Sequence, residues 1–157
     1  MNVLQELGQI LERVRQNASL EDLLLFNTEN GLVLAAAATG DVDKETLGSL
    51  ASGAGTALGM MCRQFAEDDD ITYQIIVTDT FQYIFYQIDG ARYLLSRGGS
   101  QKKVGYVRMI LKAEAAAIKE LLIKFDEENS ISLDGVDVDD IASLLDDQMD
   151  SIFGGGE

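Results

Sequence analysis

The stretch GSLASGAGTALG, residues 48–59, places four glycines inside a segment that otherwise has the pattern of a long helix. Each glycine in a helix interior costs about 1 kcal/mol relative to alanine. A phosphate-binding loop would place its glycines at a helix N-terminus and follow them with Lys and Ser or Thr, which does not happen here. A flexible linker would lack the regular apolar positions of this segment. The glycines therefore indicate a close contact between this helix and a second one.

The segment carries two faces at helical spacing. A bulky face contains Leu47, Leu50, Ala54, Leu58, Met61 and Phe65. A small face contains Gly48, Ser52, Gly55, Gly59, Cys62 and Ala66. Small side chains at this spacing let two helix backbones approach closely. We expect the bulky face to lie on the domain's own sheet and the small face to form a dimer interface with a second copy. The alternative is that the small face packs on the first or third helix of the same chain.

Hydrophobic periodicity and turn residues divide the rest of the chain into short elements. The predicted order is helix, two strands, helix, three strands, helix, at residues 3–16, 22–27, 32–38, 44–66, 71–78, 81–88, 91–97 and about 102–125. Asn30-Gly31 is a hairpin turn signal, and Asp43 is a suitable N-cap for the second helix. The pattern predicts an α+β fold.

Charge is distributed unevenly along the 157 residues, whose net charge is −15. Residues 1–125 contain all 12 Lys and Arg together with 16 Asp and Glu, whereas residues 126–157 contain 11 acids and no base. Such a polyanion disfavours binding to nucleic acid or to an anionic membrane. The bases of RGGSQKK, residues 97–103, indicate either a solvated loop or contact with an acidic surface.

Several chemistries are missing from the sequence. It contains no histidine and one cysteine, Cys62, which excludes a Ser-His triad, an imidazole or thiolate metal site and an internal disulfide. No apolar run approaches the roughly 20 residues of a membrane-spanning helix, and MNVLQELGQILERV lacks the pattern of a secretory signal. We therefore expect a cytoplasmic protein that is not an enzyme, with no catalytic residue, metal or cofactor.

Three motifs resemble the Roadblock/LC7 family over about residues 1–125. They are NGLVLAAA after the first turn, with Asn30 where Asp is usual, the second helix rich in Ala, Gly and Ser, and DGARYLL at the start of the last strand. The resemblance implies a profilin-like α-β-β-α-β-β-β-α fold, with a five-stranded antiparallel sheet and helices on both faces. It also implies a homodimer in which the second helices pair and the sheets join through their third strands.

The resemblance also implies a function. Roadblock/LC7 proteins are non-enzymatic dimeric platforms for small Ras-like GTPases, with GTPase-activating, localising or scaffold roles, and some are light chains of the dynein motor. Arg63 and Gln64, polar residues of the second helix, are candidates for the partner-binding face. Two other classes stay open, namely an acidic dimeric secretion chaperone and a profilin-like or PAS-like sensor of a small ligand.

The acidic tail, residues 126–157, contains a predicted amphipathic helix at about 138–153. Its apolar face comprises Ile141, Leu144, Leu145, Met149, Ile152 and Phe153, and aspartates cover the other positions. An undocked helix of this kind would leave large apolar side chains in water. These six residues are therefore expected to dock either on the chain's own domain or on a partner protein.

Overall fold

The computed structural model describes residues 1–68 and 71–134, with side chains as far as residue 130. The elements are α1 (Val3–Asn17), β1 (Asp22–Asn27), β2 (Val33–Ala38), α2 (Lys44–Phe65), β3 (Tyr73–Val77), β4 (Phe81–Gln87), β5 (Arg92–Gly99) and α3 (Val104–Asp134). The chain divides into two compact units, Met1–Leu122 and Ile123–Glu157. The element order and the α+β class predicted from sequence are confirmed.

The five strands form one antiparallel sheet in the order β2-β1-β5-β4-β3. β1, β5 and β4 lie inside the sheet, and the LLLF segment of β1 and the LLS segment of β5 are buried. β2 and β3 are the edge strands. The Asn30-Gly31 turn joins β1 to β2, and Gly31 adopts a φ of 71°, a conformation that favours glycine.

Alternating side chains of each strand divide the core between the two faces of the sheet. Phe26 and Leu95 pack with Ala51 of α2 on one face. Their neighbours Leu25 and Leu94 are fully buried on the opposite face, where α1 and α3 lie. α1 and α3 bury regularly spaced apolar residues, Val3, Leu7, Leu11 and Val14 in α1 and Val107, Leu111, Ile118 and Leu122 in α3.

The helix ends match the sequence prediction at α2 and differ at α3. Asp43 caps α2 as predicted, because its carboxylate accepts the backbone N–H of Thr46 at 3.1 Å. α3 continues to Asp134, whereas the prediction ended this helix at about Phe125 and began the acidic tail at residue 126. Residues 126–134 contain neither glycine nor proline, so no residue there forces the helix to end. The predicted helix at about 138–153 lies outside the described residues, and the functional division at 125/126 stays a prediction.

Asp89 organises the turn between β4 and β5. Its carboxylate accepts the backbone N–H groups of Ala91 at 3.2 Å and Arg92 at 3.0 Å. It also pairs with the Arg92 guanidinium at 2.6 Å. Burial opposes ionisation of Asp89, but the hydrogen bonds from Arg92 and Ala91 outweigh burial and hold the pKa of the carboxyl below its ordinary value.

Asp89→Asn is expected to lower the free energy of unfolding at pH 7 by about 1 kcal/mol, because the charge-assisted bonds are lost. A carboxyl with a depressed folded-state pKa stabilises the fold above its unfolded pKa, near 4, and this stabilisation disappears as pH falls through the folded pKa. Chemical denaturation at pH 7 and pH 3 should therefore show a difference between Asp89→Asn and the unmodified chain that shrinks at the lower pH. Asp79→Asn, in the β3–β4 turn, is the matched control, and an equal effect there would contradict the prediction.

Candidate functional site

The small face of α2 lies against the turn between β1 and β2 of the same chain. A Cβ added at Gly48 would overlap the carbonyl oxygen of Gly31 and lie 3.2 Å from Cγ2 of Val33. The Ser52 hydroxyl donates a hydrogen bond to the carbonyl of Thr28. The backbone of α2 therefore meets the backbone of the hairpin turn directly, which only residues with minimal side chains permit.

The C-terminal half of the small face is covered less completely. Gly59 is buried beneath the side chain of Arg63, whose Nη1 would lie 3.3 Å from a Cβ at Gly59. Gly55 and Cys62 are half-buried. Ala66 is exposed just beyond the helix end, and its N–H donates to the Cys62 carbonyl at 3.2 Å. Contact of these positions with a second copy stays a prediction.

The two faces of α2 are thus placed differently from the sequence prediction. The expectation that the bulky face lies on the sheet holds for Leu47, which packs against the cluster of Phe26, Ala51 and Leu95, but not for the exposed residues of that face. The alternative that the small face packs on α1 or α3 was wrong. The bulky face is largely open to solvent, with Leu50, Met61 and Phe65 exposed by 66%, 52% and 89%. Exposed apolar groups of this size in one cluster are typical of protein interaction sites.

β3 is an edge strand, and it lies in the part of the sheet that α2 does not cover. It pairs with β4 alone in the described part of the chain, so its outer edge carries backbone groups with no strand partner. Ile76 is exposed by 40%. It lies opposite Tyr83, which packs on the α2 side of the sheet. An unprotected edge with apolar side chains favours pairing with another strand.

A groove of about 650 Å³ separates α2 from the open part of the sheet. Its walls are mainly apolar, and they include Leu24, Leu47, Leu50, Ala54, Ile76, Tyr83 and Phe85. At one end Asp22 pairs with Arg97, whose guanidinium lies 4.3 Å from the centre of the Phe81 ring. Asp22 also accepts the backbone N–H of Thr39 at 3.2 Å. Because these polar groups already bind one another, the groove offers mainly apolar surface to anything that occupies it.

We call Leu50, Ala54, Met61, Phe65, Ile76 and the outer edge of β3 the α2–β3 surface. The sequence predicted its helical residues as one face, and the family resemblance implied that the third strand joins the sheets, but neither pointed to Ile76. The missed signal was the segment YQIIV, which is apolar at neighbouring positions and therefore on both faces of the strand. An edge strand that is apolar on both faces needs a second covering element.

The other predicted partner-binding residues do not belong to this surface. Arg63 and Gln64 are exposed on α2. Arg63 lines a separate depression of about 150 Å³ with Thr28, Thr56 and Tyr93. The apolar residues of the predicted tail helix lie outside the described residues, and they are Ile141, Leu144, Leu145, Met149, Ile152 and Phe153. Across the described residues, no helix combines the length and the hydropathy that crossing a membrane requires.

Comparison with known proteins identifies the fold. No protein-family model matches the chain, and no curated protein matches it either. Among solved structures, Myxococcus xanthus MglB has a TM-score of 0.70 and 16% identity, over 76% of this chain and 96% of that one. An MglB with a tetrameric arrangement has a TM-score of 0.68 and 15% identity, over 76% of this chain and 89% of that one.

A Roadblock/LC7 domain from Streptomyces avermitilis is similar as well, with a TM-score of 0.68 and 13% identity over 74% of this chain and 97% of that one. Agreement over nearly the whole length of these structures shows that the chain has the Roadblock/LC7 fold. The fold resemblance stated from the sequence is therefore confirmed.

Proposed function

We propose that this chain, which has a Roadblock/LC7 fold with an open apolar surface, forms a homodimer that binds and regulates a small Ras-like GTPase. The chain itself supplies no catalytic residue in this proposal. It acts as a platform, with a GTPase-activating or a localising role. The observation that carries the proposal is the α2–β3 surface, which joins an apolar helix face to an unpaired strand edge.

The dimer follows from the way these two features lie side by side. A second β3 pairing antiparallel with the first would extend the sheet across a two-fold axis. The same axis would bring the two α2 helices together over the open part of the sheet. Leu50, Met61 and Phe65 would then be removed from water, which is favourable in proportion to the apolar area covered. The bulky face, rather than the small face, forms the helix contact in this arrangement.

The proposal that the partner is a GTPase rests on the family resemblance together with the fold. Arg63 and Gln64 are exposed on α2 and are the candidates for contact with the GTPase. The predicted apolar face of the tail helix is a second candidate. A sensor of small polar ligands is less well supported, because Asp22 and Arg97 at the end of the groove bind each other.

Purification of tagged full-length protein from its native host, followed by GTP-hydrolysis assays, tests this function. We expect a Ras-like GTPase among the recovered proteins, bound more tightly in one nucleotide state than in the other. An activating role should increase its hydrolysis rate by about tenfold or more, whereas a localising role leaves the rate unchanged. Recovery of proteins without any GTPase would overturn the function while leaving the fold and the dimer intact.

A further inference from the structure

The first part of α3 and the two residues before it reverse the charge balance of the chain. Residues 102–122 contain five Lys and Arg against two Asp and Glu, whereas the other residues contain seven bases against 25 acids. One of the two acids, Glu114, is already paired with Arg13 of α1 at 2.8 Å. The side of α3 away from α1 therefore carries an excess of positive charge on an acidic protein.

Three of these bases form a row along α3. Lys112 and Lys119 follow Arg108 by about one and three helical turns, so all three lie on the same side of the helix. All three side chains are exposed. Within the described residues no ion pair or side-chain hydrogen bond engages Lys112 or Lys119. Their charge is available to a ligand.

Arg108 fixes this row beside the edge strand. Its Nη1 donates to the Tyr73 hydroxyl at 3.2 Å, and its guanidinium lies 4.1 Å from the centre of the Tyr73 ring. Ile75 and Val77 share this face of β3 with Tyr73, because side chains alternate along a strand. They are exposed by 37% and 62%. An apolar strip therefore adjoins Arg108, the first base of the row, on the face of the sheet opposite α2.

We propose that this α3–β3 shelf, made of Tyr73, Ile75, Val77, Arg108, Lys112 and Lys119, binds an acidic amphipathic segment of a partner protein. Apolar residues of the segment cover Ile75 and Val77, and its carboxylates face Lys112 and Lys119. Complementary charge makes binding fast and selective. A bilayer or a nucleic acid is a poorer occupant, because its extended negative charge would also meet the acidic remainder of a chain with net charge −15.

The shelf is distinct from the α2–β3 surface, because Ile75 and Val77 face away from α2 while Ile76 faces towards it. A dimer joined along β3 would place two shelves side by side. The proposal does not require a GTPase partner, so either idea can fail without the other.

The probe is a fluorescent synthetic peptide of about 18 residues, long enough to form a helix, with Leu on one face and Glu elsewhere. Full-length protein should bind it saturably in fluorescence anisotropy at low ionic strength, where screening is weak. Lys112→Glu with Lys119→Glu should weaken binding by about tenfold or more, because attraction becomes repulsion. Lys44→Glu, a charge reversal at the start of α2, should change binding by less than about twofold. Val77→Thr, which keeps the side-chain shape, should weaken binding severalfold.

Four results would overturn the proposal. The first is no binding of the peptide, and the second is equal binding of a scrambled peptide that has no apolar face. The third is a change of molecular mass on charge reversal of Lys112 and Lys119, which would assign the shelf to contact between copies. The fourth is binding to phosphatidylglycerol vesicles without binding to the peptide, which would assign it to membranes.

Discussion

Met61→Glu is expected to convert the proposed dimer into a folded monomer. Met61 is exposed by 52% in the single chain, so a glutamate there remains hydrated when the copies are apart. Across a two-fold axis the substitution places two carboxylates in an apolar contact, and burying an unpaired charge costs several kcal/mol. We expect the dissociation constant of the dimer to rise by about 1,000-fold, equivalent to about 4 kcal/mol. Sedimentation velocity over a range of protein concentrations measures it directly.

Met109→Glu is the matched control for this experiment. It introduces the same charge at a methionine that is exposed by 60% on α3, away from the α2–β3 surface. This variant should keep the mass of the unmodified protein, and both variants should keep its far-ultraviolet circular dichroism. A Met61→Glu protein that stays dimeric, or an unmodified protein that is monomeric at high concentration, would contradict the proposed arrangement.

The order of elements could be predicted because its signals are local. The helices and strands differ in apolar period, and turn residues such as Asn30 and Gly31 mark the boundaries between them. The N-cap at Asp43 depends on a hydrogen bond to Thr46, three residues away. Interactions of this kind depend on residues that are close together in the sequence, so the order of the elements could be predicted from them.

The orientation of α2 could not be predicted, because it depends on a contact between distant parts of the chain. Periodicity shows that α2 has a small face and a bulky face, but it does not show which face turns inward. The usual preference for burying large apolar groups pointed to the bulky face. Instead, the close approach of Gly48 to Gly31 turns the small face of α2 inward. Large side chains at that position would hold the helix away from the hairpin turn.

Gly48→Ala is expected to destabilise the domain, although alanine is the better helix former. The added methyl group would overlap the carbonyl oxygen of Gly31, and a backbone atom cannot rotate away as a flexible side chain can. Overpacking of this kind costs about 1–3 kcal/mol or more, against a gain of about 1 kcal/mol in helix propensity. Because the overlap is with a backbone atom, we expect a cost at the upper end of this range and a net loss of about 2 kcal/mol in the free energy of unfolding. Urea denaturation in the Met61→Glu background measures the loss without a contribution from dimerisation.

Gly53→Ala in the same helix is expected to stabilise the domain. The pair of variants therefore distinguishes the effect of packing from the effect of helix propensity. No atom of a neighbouring segment lies within 4 Å of the position that a Cβ would take at Gly53. The substitution therefore keeps only the helix-propensity gain and should raise the free energy of unfolding by up to about 1 kcal/mol. If both glycines only reduced helix stability, the two alanine variants would be stabilised alike, and the hairpin contact would not explain Gly48. Opposite signs in two variants of identical chemistry would show that the small face of α2 serves the fold of a single copy.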